Sequence, residues 1–283
     1  MKYSMTETVM AVIAYAESHL SEKPDLEEVS AAVCYSKYYL HRMVTKTLGM
    51  TLHDYIRRRR LTEAARLLVC SQKPILEIAL AAGYESQQAF TGIFKSMYKQ
   101  SPLKYRENGK FYPLQLRFCL CGAPSRPDAM TQNIACVTPE EIPDWMEFAA
   151  LVIDGFPCFE EAEHLRRLAY HIEQKQAWIM RDKHTVVGAA AFSRQAASID
   201  FLAVHPQYRG YGIEKTFLDF IVRSGLADRE ISITTFRDGD RADTGQRVAY
   251  KRLGFVGAEL LTEFGYPVQR LVLQSKREVI LGV

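Results

Sequence analysis

The chain has 283 residues, of which 48% are hydrophobic and 24% charged, and it carries a formal net charge of +3. This length predicts about two domains, and the composition is that of an ordinary soluble protein. No window reaches the roughly 18 uninterrupted apolar residues of a membrane span, and the first residues lack a signal-peptide layout, so we expect a cytoplasmic protein without a membrane segment.

Six cysteines, at positions 34, 70, 119, 121, 136 and 158, are scattered along the chain. Cys119 and Cys121 are too closely spaced for the usual zinc pair, and no second His or Cys pair complements them. We therefore expect reduced, mostly buried thiols and no metal site.

Positive charge is concentrated in the first part of the chain. Residues 1–107 carry 15 Lys and Arg against 11 Asp and Glu, whereas the remainder carries 21 against 22. Between Lys37 and Arg66, eight basic residues meet only Asp54 and Glu63. Such a patch is typical of a protein that binds a polyanion, although a solvated charged face also produces like-charge runs.

The first predicted element is a helix over residues 6–20, and two helix-turn-helix units follow it. The apolar residues of the first helix recur at helical spacing and predict a core face: Met5, Val9, Val12, Ile13, Ala16 and Leu20. The first unit, LEEVSAAVCYSKYYLHRMVTKTLG, restarts at Ser36, and the second, PILEIALAAGYESQQAFTGIFKSMY, restarts at Ser86.

A basic helix, LHDYIRRRRLTEAARLLVC at 52–70, joins the two units. Its buried face is predicted at Leu61, Ala64, Ala65 and Leu68. A spacer of this length spans roughly 27 Å, which with the flanking helices approaches one turn of B-DNA, about 34 Å. We expect the guanidinium groups of 57–60 to contact phosphates, so that losing one weakens binding to all sequences alike.

The second helix of each unit presents polar side chains opposite its apolar face. In the first unit the apolar face is Leu40, Met43, Val44 and Leu48, and the outward residues are Lys37, Tyr38, His41, Arg42 and Thr45. In the second it is Phe90, Ile93, Phe94 and Met97, and the outward residues are Gln87, Gln88, Thr91, Gly92 and Lys95. Arg pairs well with guanine and Gln with adenine.

The stretches SKYYLHRM, YIRRRRLTEAARLL, PILEIALAAGYESQQAFTGIFK and SPLKYR resemble the AraC/XylS DNA-binding domain, in particular its multiple-antibiotic-resistance and superoxide-response activators. The resemblance implies that one chain reads two grooves of double-stranded DNA without oligomerising, with RNA polymerase as a further partner. It implies base-reading roles for Tyr38, His41, Arg42, Gln87 and Gln88. Ala89 and Gly92 depart from that branch, which has longer polar side chains there, so the first unit is expected to carry most specificity.

From residue 108 the helical periodicity stops. The segment mixes turn formers with a predicted strand at 114–120, and GAPSRP at 122–127 is typical of a linker. We therefore predict a DNA-binding domain at 1–107, a linker at 108–131 and an α/β domain at 132–283. The second domain begins with a short strand at 134–138 and helices near 139–154 and 160–176, followed by strands AWIMR, TVVGAAAF and SIDFLAV.

The chemical centre of this domain is VHPQYRGYGIEKTFLDFIV, at 204–222. Glycines that precede a helix let backbone N–H groups close on a phosphate, and the helix dipole adds to the attraction. The alternative is that these glycines only end the strand and start the helix, without binding a ligand. The spacing Q-x-x-G-x-G differs from that of Rossmann and P-loop motifs.

Together with YKRLGF at 250–255, this motif resembles a GNAT (GCN5-related N-acetyltransferase) domain over about 133–275. The resemblance implies a mixed, mostly antiparallel sheet that splays at its fourth strand and binds acetyl-CoA. It implies cofactor contacts by Leu202, Ala203, Val204, Gln207, Tyr208, Arg209, Gly210, Tyr211 and Gly212. It also implies that Tyr250 protonates the leaving thiolate, although an aromatic that only packs on the sheet is the alternative.

Asp200 alternates with Leu202 and Val204, so it is predicted to share their face and to act as a base through a water; a structural carboxylate is equally consistent. His205 and His184 are weaker choices. Asp243 and Gln246 stand where the family often has Asn and Ala. Acidic residues of the two helices are expected either to attract a small cationic amine or to form a solvated face: Glu147, Asp154, Glu160, Glu161 and Glu163.

Three functions remain open at this point. The chain is a transcription regulator with a working acetyltransferase, or a regulator whose GNAT-like domain only senses a ligand or CoA. In the third, the basic domain merely docks on RNA or protein.

Overall fold

The computed structural model describes residues 4–22, 24–120 and 134–274. These form two compact units. The first contains the described residues up to Leu120 and the short segment Cys158–Glu160, and the second contains the other described residues. Within these ranges, no helix has the length and apolar character that crossing a membrane requires.

The described part of the first unit is mainly helical, and its helices up to residue 98 begin close to the predicted positions. The helices of this unit are α1 (Met5–Ser18), α2 (Leu26–Ala32), α3 (Lys37–Leu48), α4 (Leu52–Cys70), α5 (Ile75–Ala81), α6 (Gln87–Tyr98) and α7 (Pro102–Asn108). At the start of each of these helices except α5, a side chain accepts a backbone N–H of the first turn. The capping residues are Ser4, Asp25, Ser36, Thr51, Ser86 and Ser101. Each such cap is worth about 1 kcal/mol, which explains where the helices start.

The predicted apolar faces of α3, α4 and α6 are confirmed, with one partial exception. Their predicted core residues are buried, except that Ile93 is only half-buried. In α1, the prediction is wrong for Met5, the first residue of the helix, which is 45% exposed. Leu20 lies in a separate 3-10 turn and is half-buried.

Residues 109–120 form an irregular segment that packs on α4, and the strand predicted at 114–120 is absent. The Thr62 hydroxyl accepts the backbone N–H groups of Leu114 and Gln115, at 3.1 and 3.2 Å. Phe118 is fully buried and stacks on Tyr55 at 5.5 Å. These backbone groups therefore bond to side chains of α4 instead of a neighbouring strand. The rest of the predicted linker, 121–131, lies outside the described residues.

The second unit is a seven-stranded sheet with helices on both faces. Its elements are β1 (Ile134–Cys136), α8 (Ile142–Leu151), α9 (Glu161–Glu173), β2 (Ala177–Asp182), β3 (Thr185–Ser193), β4 (Ser198–Val204), α10 (Ile213–Ile221), β5 (Ile231–Phe236), α11 (Gln246–Arg252), β6 (Val256–Glu263) and β7 (Tyr266–Leu273). The strand order is β1-β2-β3-β4-β5-β7-β6. Only the β4–β5 pair is parallel, so the predicted mixed, mostly antiparallel sheet is confirmed.

The sheet opens between β4 and β5. The two strands pair only at Ser198 with Ser232 and Ile199 with Ile233. Beyond these pairs β4 continues to Val204 and β5 to Phe236 without bonding to each other. At this opening, backbone polar groups of β4 have no partner in β5, and the candidate site of the second unit lies there.

Candidate functional sites

The predicted reading face of α3 is open to solvent. Lys37, Tyr38, His41 and Arg42 are all exposed, and Tyr38 is the most exposed large side chain there, at 77%. Lys37 Nζ lies 2.6 Å from the Glu27 carboxylate. This surface ion pair contributes little and exchanges readily for a phosphate contact. The four side chains thus share one face, opposite the buried one.

The corresponding face of α6 is smoother. Gln87, Gln88 and Lys95 are exposed, and between them Ala89 and Gly92 add little side chain. A Cβ at Gly92 would meet no atom within 4 Å. The glycine is therefore not required by packing, and the shortened surface is a property of the reading face itself.

The guanidinium groups of Arg58 and Arg59 do not form the predicted phosphate-binding block, because both side chains are buried, at 3% and 7% exposure. Arg58 donates to the carbonyl oxygen of Leu114 at 3.0 Å. Arg59 forms a two-pronged ion pair with Glu17, at 2.8 and 2.9 Å, and also donates to the carbonyl oxygen of Gln115. These two arginines hold α1, α4 and the 109–120 segment together.

The other two arginines of the run are also engaged. Arg57 pairs with Asp54 at 2.6 Å and remains partly exposed. Arg60 donates to the carbonyl oxygen of Ala82 and lies over the Tyr84 ring, 5.4 Å from its centroid. Arg60 therefore fastens α4 to the turn between α5 and α6. The sequence run reads as one charged patch, but a helix distributes four consecutive residues around its whole circumference.

The glycine turn at 210–212 after β4, which we call the cradle, is open to solvent. Gly210 and Gly212 have φ values of +88° and +79°, and no atom lies within 4 Å of a Cβ built on either. Gly212 is the N-cap of α10 and offers no capping side chain. Among the described residues, the backbone amides of Gly210, Gly212, Ile213 and Glu214 have no acceptor. This arrangement fits the pyrophosphate of an acyl-CoA.

Side chains anchor the start of this turn. The Tyr208 hydroxyl donates to Asp182 at 2.7 Å, and Arg209 lies 3.5 Å from the fully buried carboxylate of Asp154. Gln207 is half-buried, while Tyr211 is exposed beside the glycines. Tyr208 and Arg209 thus bind the protein itself through their side chains, which leaves the backbone of the turn for a ligand.

Two side chains of α11 reach into the opening of the sheet. The Tyr250 hydroxyl donates to the carbonyl oxygen of Leu202 at 3.2 Å, and the Gln246 side-chain amide donates to the same oxygen at 3.3 Å. Leu202, Ala203 and Val204 are buried. Burial raises the pKa of Tyr250 above its ordinary value, so the phenol keeps its proton at neutral pH. Asp243 accepts the amides of Gly245 and Gln246 and so caps α11.

Asp200 does not share the face of Leu202 and Val204, so the predicted alternation is wrong here. A β-bulge intervenes: Ala191 pairs with Phe201 and Phe192 with Ile199, which leaves Asp200 as the extra residue of β4. Leu202 and Val204 pack in the core with Phe217 of α10, whereas the Asp200 carboxylate lies 2.9 Å from His171 Nε2 of α9. A single extra residue reverses the side-chain alternation of a strand.

His171 was not among the residues singled out from the sequence. It is buried and occupies the inward face of α9, three residues after the buried Leu168. That spacing is the only sequence signal that would have indicated His171. The sequence does not show which residue a histidine on an apolar face contacts. Only the fold brings it to Asp200, 29 residues further along the chain.

The weaker candidates have other roles. Buried His205 accepts the Gln207 amide on Nδ1 at 3.2 Å, and burial lowers its pKa to about 4. His184 is exposed in the β2–β3 turn. Of the acidic residues predicted to attract a cation, Asp154 is paired with Arg209 and Glu163 with two arginines of α9, so neither is a free negative charge.

The cysteine prediction is partly wrong. The described cysteines form no disulfide, but Cys34, Cys70 and Cys119 are exposed, and Cys136 and Cys158 are half-buried. Cys34 lies in the turn between α2 and α3 with a φ of +56°. Cys121 is outside the described residues.

Comparison with known proteins divides the chain in the same way. Residues 29–108 match the family model of a helix-turn-helix domain, and residues 147–265 match that of an acetyltransferase (GNAT) domain. Transposon Tn10 TetD protein from Escherichia coli is 42% identical over 103 residues, covering 36% of this chain and 75% of TetD. Regulatory protein SoxS from Escherichia coli (strain K12) is 37% identical over 103 residues, covering 36% of this chain and 96% of SoxS.

The resemblance to longer regulators is confined to the first unit. Right origin-binding protein from Escherichia coli (strain K12) is 37% identical over 106 residues, so the match covers 38% of this chain and 37% of that protein. Among solved structures, a GNAT-family acetyltransferase from Bacillus cereus ATCC 10987 matches with a TM-score of 0.40 and 11% identity, over 50% of this chain and 96% of that one.

Proposed function

This chain belongs to the AraC-type family of DNA-binding transcription regulators and carries a GNAT domain in its second half, and from that premise we propose a regulator that acetylates a small amine. The first unit binds a specific double-stranded sequence. The second transfers the acetyl group of acetyl-CoA. DNA binding follows from the family, and the GNAT domain rests on the match of residues 147–265 to its family model. The turnover, its substrate and the residues that carry them are our proposal.

In the first unit, we assign base reading to Tyr38, His41 and Arg42 of α3 and to Gln87 and Gln88 of α6. Their support is exposure on one face of each helix, just after a capping serine. We assign phosphate contacts to Lys37 and Lys95, because an ammonium group is a compact charge without a fixed hydrogen-bond pattern. Duplex DNA suits this division, since phosphate contacts position a protein and base contacts specify a sequence.

In the second unit, the observation that carries the proposal is the combination of an open amide cradle with a protonated phenol in the sheet opening. The amides of Gly210, Gly212, Ile213 and Glu214 would hold the pyrophosphate, and the backbone of Leu202 to Val204 at the sheet opening would hold the pantetheine arm. Acetyl-CoA supplies an activated acyl thioester when bound. The raised pKa of Tyr250 keeps its hydroxyl protonated at neutral pH, and we assign to this hydroxyl the proton that the thiolate sulfur takes up as its bond to the acetyl carbon breaks.

Ligand sensing without turnover is a second candidate, and Gln246 favours it. Its side-chain amide occupies the Leu202 carbonyl that a bound pantetheine would use, and it lies against Gly155, where an added Cβ would be 3.1 Å from Gln246 Oε1. A ligand therefore has to displace Gln246. The displacement of Gln246 would change the structure of the site when a ligand binds, with or without acetyl transfer.

Calorimetric titration with CoA and acetyl-CoA tests the cradle. Gly212→Asp places a β-carbon at a φ of +79° and a negative charge among the amides, so we expect binding to be lost. Gly225→Asp is the matched control, because its φ is +110° and its surroundings are equally open, but it lies at the far end of α10. Equal affinity in both variants would refute the cradle.

Release of free thiol from acetyl-CoA, followed over a panel of small amines, separates the two candidate functions. Amine-dependent release supports the acetyltransferase. Tight CoA binding with no release for any amine supports the sensor. Absence of CoA binding to the folded wild-type chain excludes the acetyltransferase and a sensor of CoA.

A further inference from the structure

A cavity of about 340 Å³ lies in the GNAT unit, on the side of the sheet that α9 covers. It is lined mainly by Arg166, Arg167, Tyr170, His171, Ser198 and Asp200. Its volume is at the lower end of the range for small-molecule sites, roughly 300 to 1,000 Å³. It borders the last residue pair that joins β4 to β5, so it lies where the sheet begins to open.

The carboxylate of Asp200 is held firmly within this cavity. The Ser198 hydroxyl donates to Oδ1 at 2.8 Å, and His171 Nε2 lies 2.9 Å from Oδ2. The His171 side chain is 4% exposed whereas that of Asp200 is 30% exposed. His171 Nδ1 is buried and has no partner in the described part of the chain. The imidazole is thus turned toward Asp200, and the carboxylate is the member of the pair that a ligand can reach.

Another part of the cavity lining is positive. Arg166 and Arg167 both pair with Glu163, so a single carboxylate serves two guanidinium groups. Arg167 also lies over the Phe264 ring, 5.3 Å from its centroid. Both arginines are at least half exposed. A guanidinium group with spare donors is well suited to a carboxylate or phosphate.

We propose that this cavity binds the acceptor as a zwitterion, an amine that also carries a carboxylate, as in an α-amino acid. The ammonium group lies against Asp200 and the carboxylate against Arg166 and Arg167. Asp200 accepts one proton from the ammonium, which leaves a neutral amine and a carboxylic acid. His171 is a positioning residue that orients Asp200 through Nε2. The inference rests on the proposed acetyltransferase function and names its substrate class.

The two charged walls exclude the simpler substrate classes. A polyamine would meet two guanidinium groups, and like charges at close range disfavour binding. A dicarboxylate without an amine would meet Asp200. A zwitterion satisfies both walls, because each of its charges faces the opposite sign.

The test is calorimetry on the full chain saturated with CoA, using pairs of probes that differ only in the carboxylate: L-lysine and cadaverine, L-leucine and 3-methylbutylamine, L-phenylalanine and 2-phenylethylamine. We expect the acid of at least one pair to bind about tenfold or more tightly than its partner, as a charge-assisted hydrogen bond implies. Preference for the carboxylate-free amines, or no binding of any probe to a chain that binds CoA, overturns the proposal.

Variants assign the preference to the cavity. The double change Arg166→Gln with Arg167→Gln should abolish the preference for the acid while leaving CoA affinity unchanged. Arg223→Gln is the matched control, because Arg223 is also exposed but lies outside the cavity, beyond α10. If the double variant keeps the preference, the carboxylate binds elsewhere and the assignment fails.

A second pair of variants tests His171. The Gln side chain in His171→Gln can still donate to Asp200, whereas the side chain in His171→Leu cannot. We expect His171→Gln to retain most of kcat and His171→Leu to lose about a hundredfold, with similar KM for acetyl-CoA. Equal losses in both variants would make His171 merely structural. If the wild-type chain binds zwitterions but not CoA, the proposed function fails while the zwitterion site stands.

Discussion

The hydroxyl of Tyr250 lies 3.2 Å from the carbonyl oxygen of Leu202, so a helix that follows β5 reaches across the sheet opening to the backbone of β4. Tyr250 is almost completely buried, and burial keeps its phenol protonated. This hydroxyl is therefore a fixed proton donor inside the opening. Its present partner is a backbone acceptor, which a substrate group can replace.

Tyr250→Phe should leave the fold and CoA affinity unchanged, because only one oxygen is removed and the Leu202 carbonyl retains Gln246 as a donor. We expect kcat for acetyl transfer to fall about 10²- to 10⁴-fold, the usual contribution of a general acid. Steady-state kinetics with calorimetric control of CoA binding measures this. Full activity in the Phe variant would remove Tyr250 from the chemistry.

Arg42→Ala should weaken binding to the specific DNA site by about 1 to 3 kcal/mol and relax preference at one base position. Arg42 is exposed on the outer face of α3, so the loss comes from a base contact rather than from the fold. Selection from random duplexes, followed by titration of matched and scrambled sites, measures both effects. Lys104→Ala, an exposed change on α7, is the control. Equal loss on matched and scrambled DNA would show that Arg42 contacts only phosphate.

Arg59→Met should destabilise the first unit by about 3 to 5 kcal/mol, because it leaves the Glu17 carboxylate without its two-pronged partner. Arg57→Met is the matched change in the same run. It breaks one partly exposed pair with Asp54 and should cost about 1 kcal/mol or less. Denaturant unfolding of both variants measures the difference. A stable Arg59 variant with a flatter salt dependence of DNA binding would restore the phosphate-contact interpretation.

The second unit should lose stability as the pH falls from about 6.5 to about 4. Burial lowers the pKa of both His164 and His205 from 6.5 to about 4. Both are neutral when folded and accept hydrogen bonds, His164 from Trp145 and His205 from Gln207. Below pH 6.5 the unfolded chain binds protons that the folded chain does not, so stability is complete above that value and is lost on acidification, by roughly 3 kcal/mol for each histidine.

His164→Gln and His205→Asn isolate this effect, because each amide oxygen can accept the same hydrogen bond without titrating. The unfolding free energy of each variant should fall less steeply than that of the wild-type chain between pH 6.5 and 4. Denaturant unfolding at half-unit pH intervals measures the slopes. Parallel curves for all three proteins would show that carboxyl groups, and not these histidines, govern the acid sensitivity.

Gly92→Ala should stabilise α6 by about 0.5 to 1 kcal/mol, because an exposed glycine inside a helix costs about that much and no atom lies near the added Cβ. Gly109→Ala is an informative contrast. Its surroundings are equally open, but its φ of +63° makes the same substitution unfavourable. Thermal unfolding distinguishes the two signs. Destabilisation by Gly92→Ala would mean that α6 makes a close contact on its outer face.

The sequence predicted those features that depend on neighbours along the chain. Ser36 and Ser86 fixed the starts of α3 and α6 because a cap bonds within three residues. The apolar spacing in α3 fixed which face is buried, and with it the exposure of Tyr38 and Arg42. The glycines before α10 fixed an open turn, since only glycine adopts such φ values at little cost.

Other features depended on contacts between residues far apart in the chain. The run 57–60 looks like one basic patch, yet the positions of α1 and of the 109–120 segment decide that Arg58 and Arg59 are structural. The bulge in β4 reverses the face of Asp200 and gives it His171 as a partner.

By itself, the amino-acid sequence determined the starts of most helices, the open turn before α10 and the two families that those patterns resemble, because periodicity and capping are local. Only the tertiary structure decided which polar groups are bonded inside the protein and which are left for DNA or a ligand. A charged side chain is buried at low cost only where a hydrogen-bond or ion-pair partner is available in the interior. That partner belongs to an element distant in the chain.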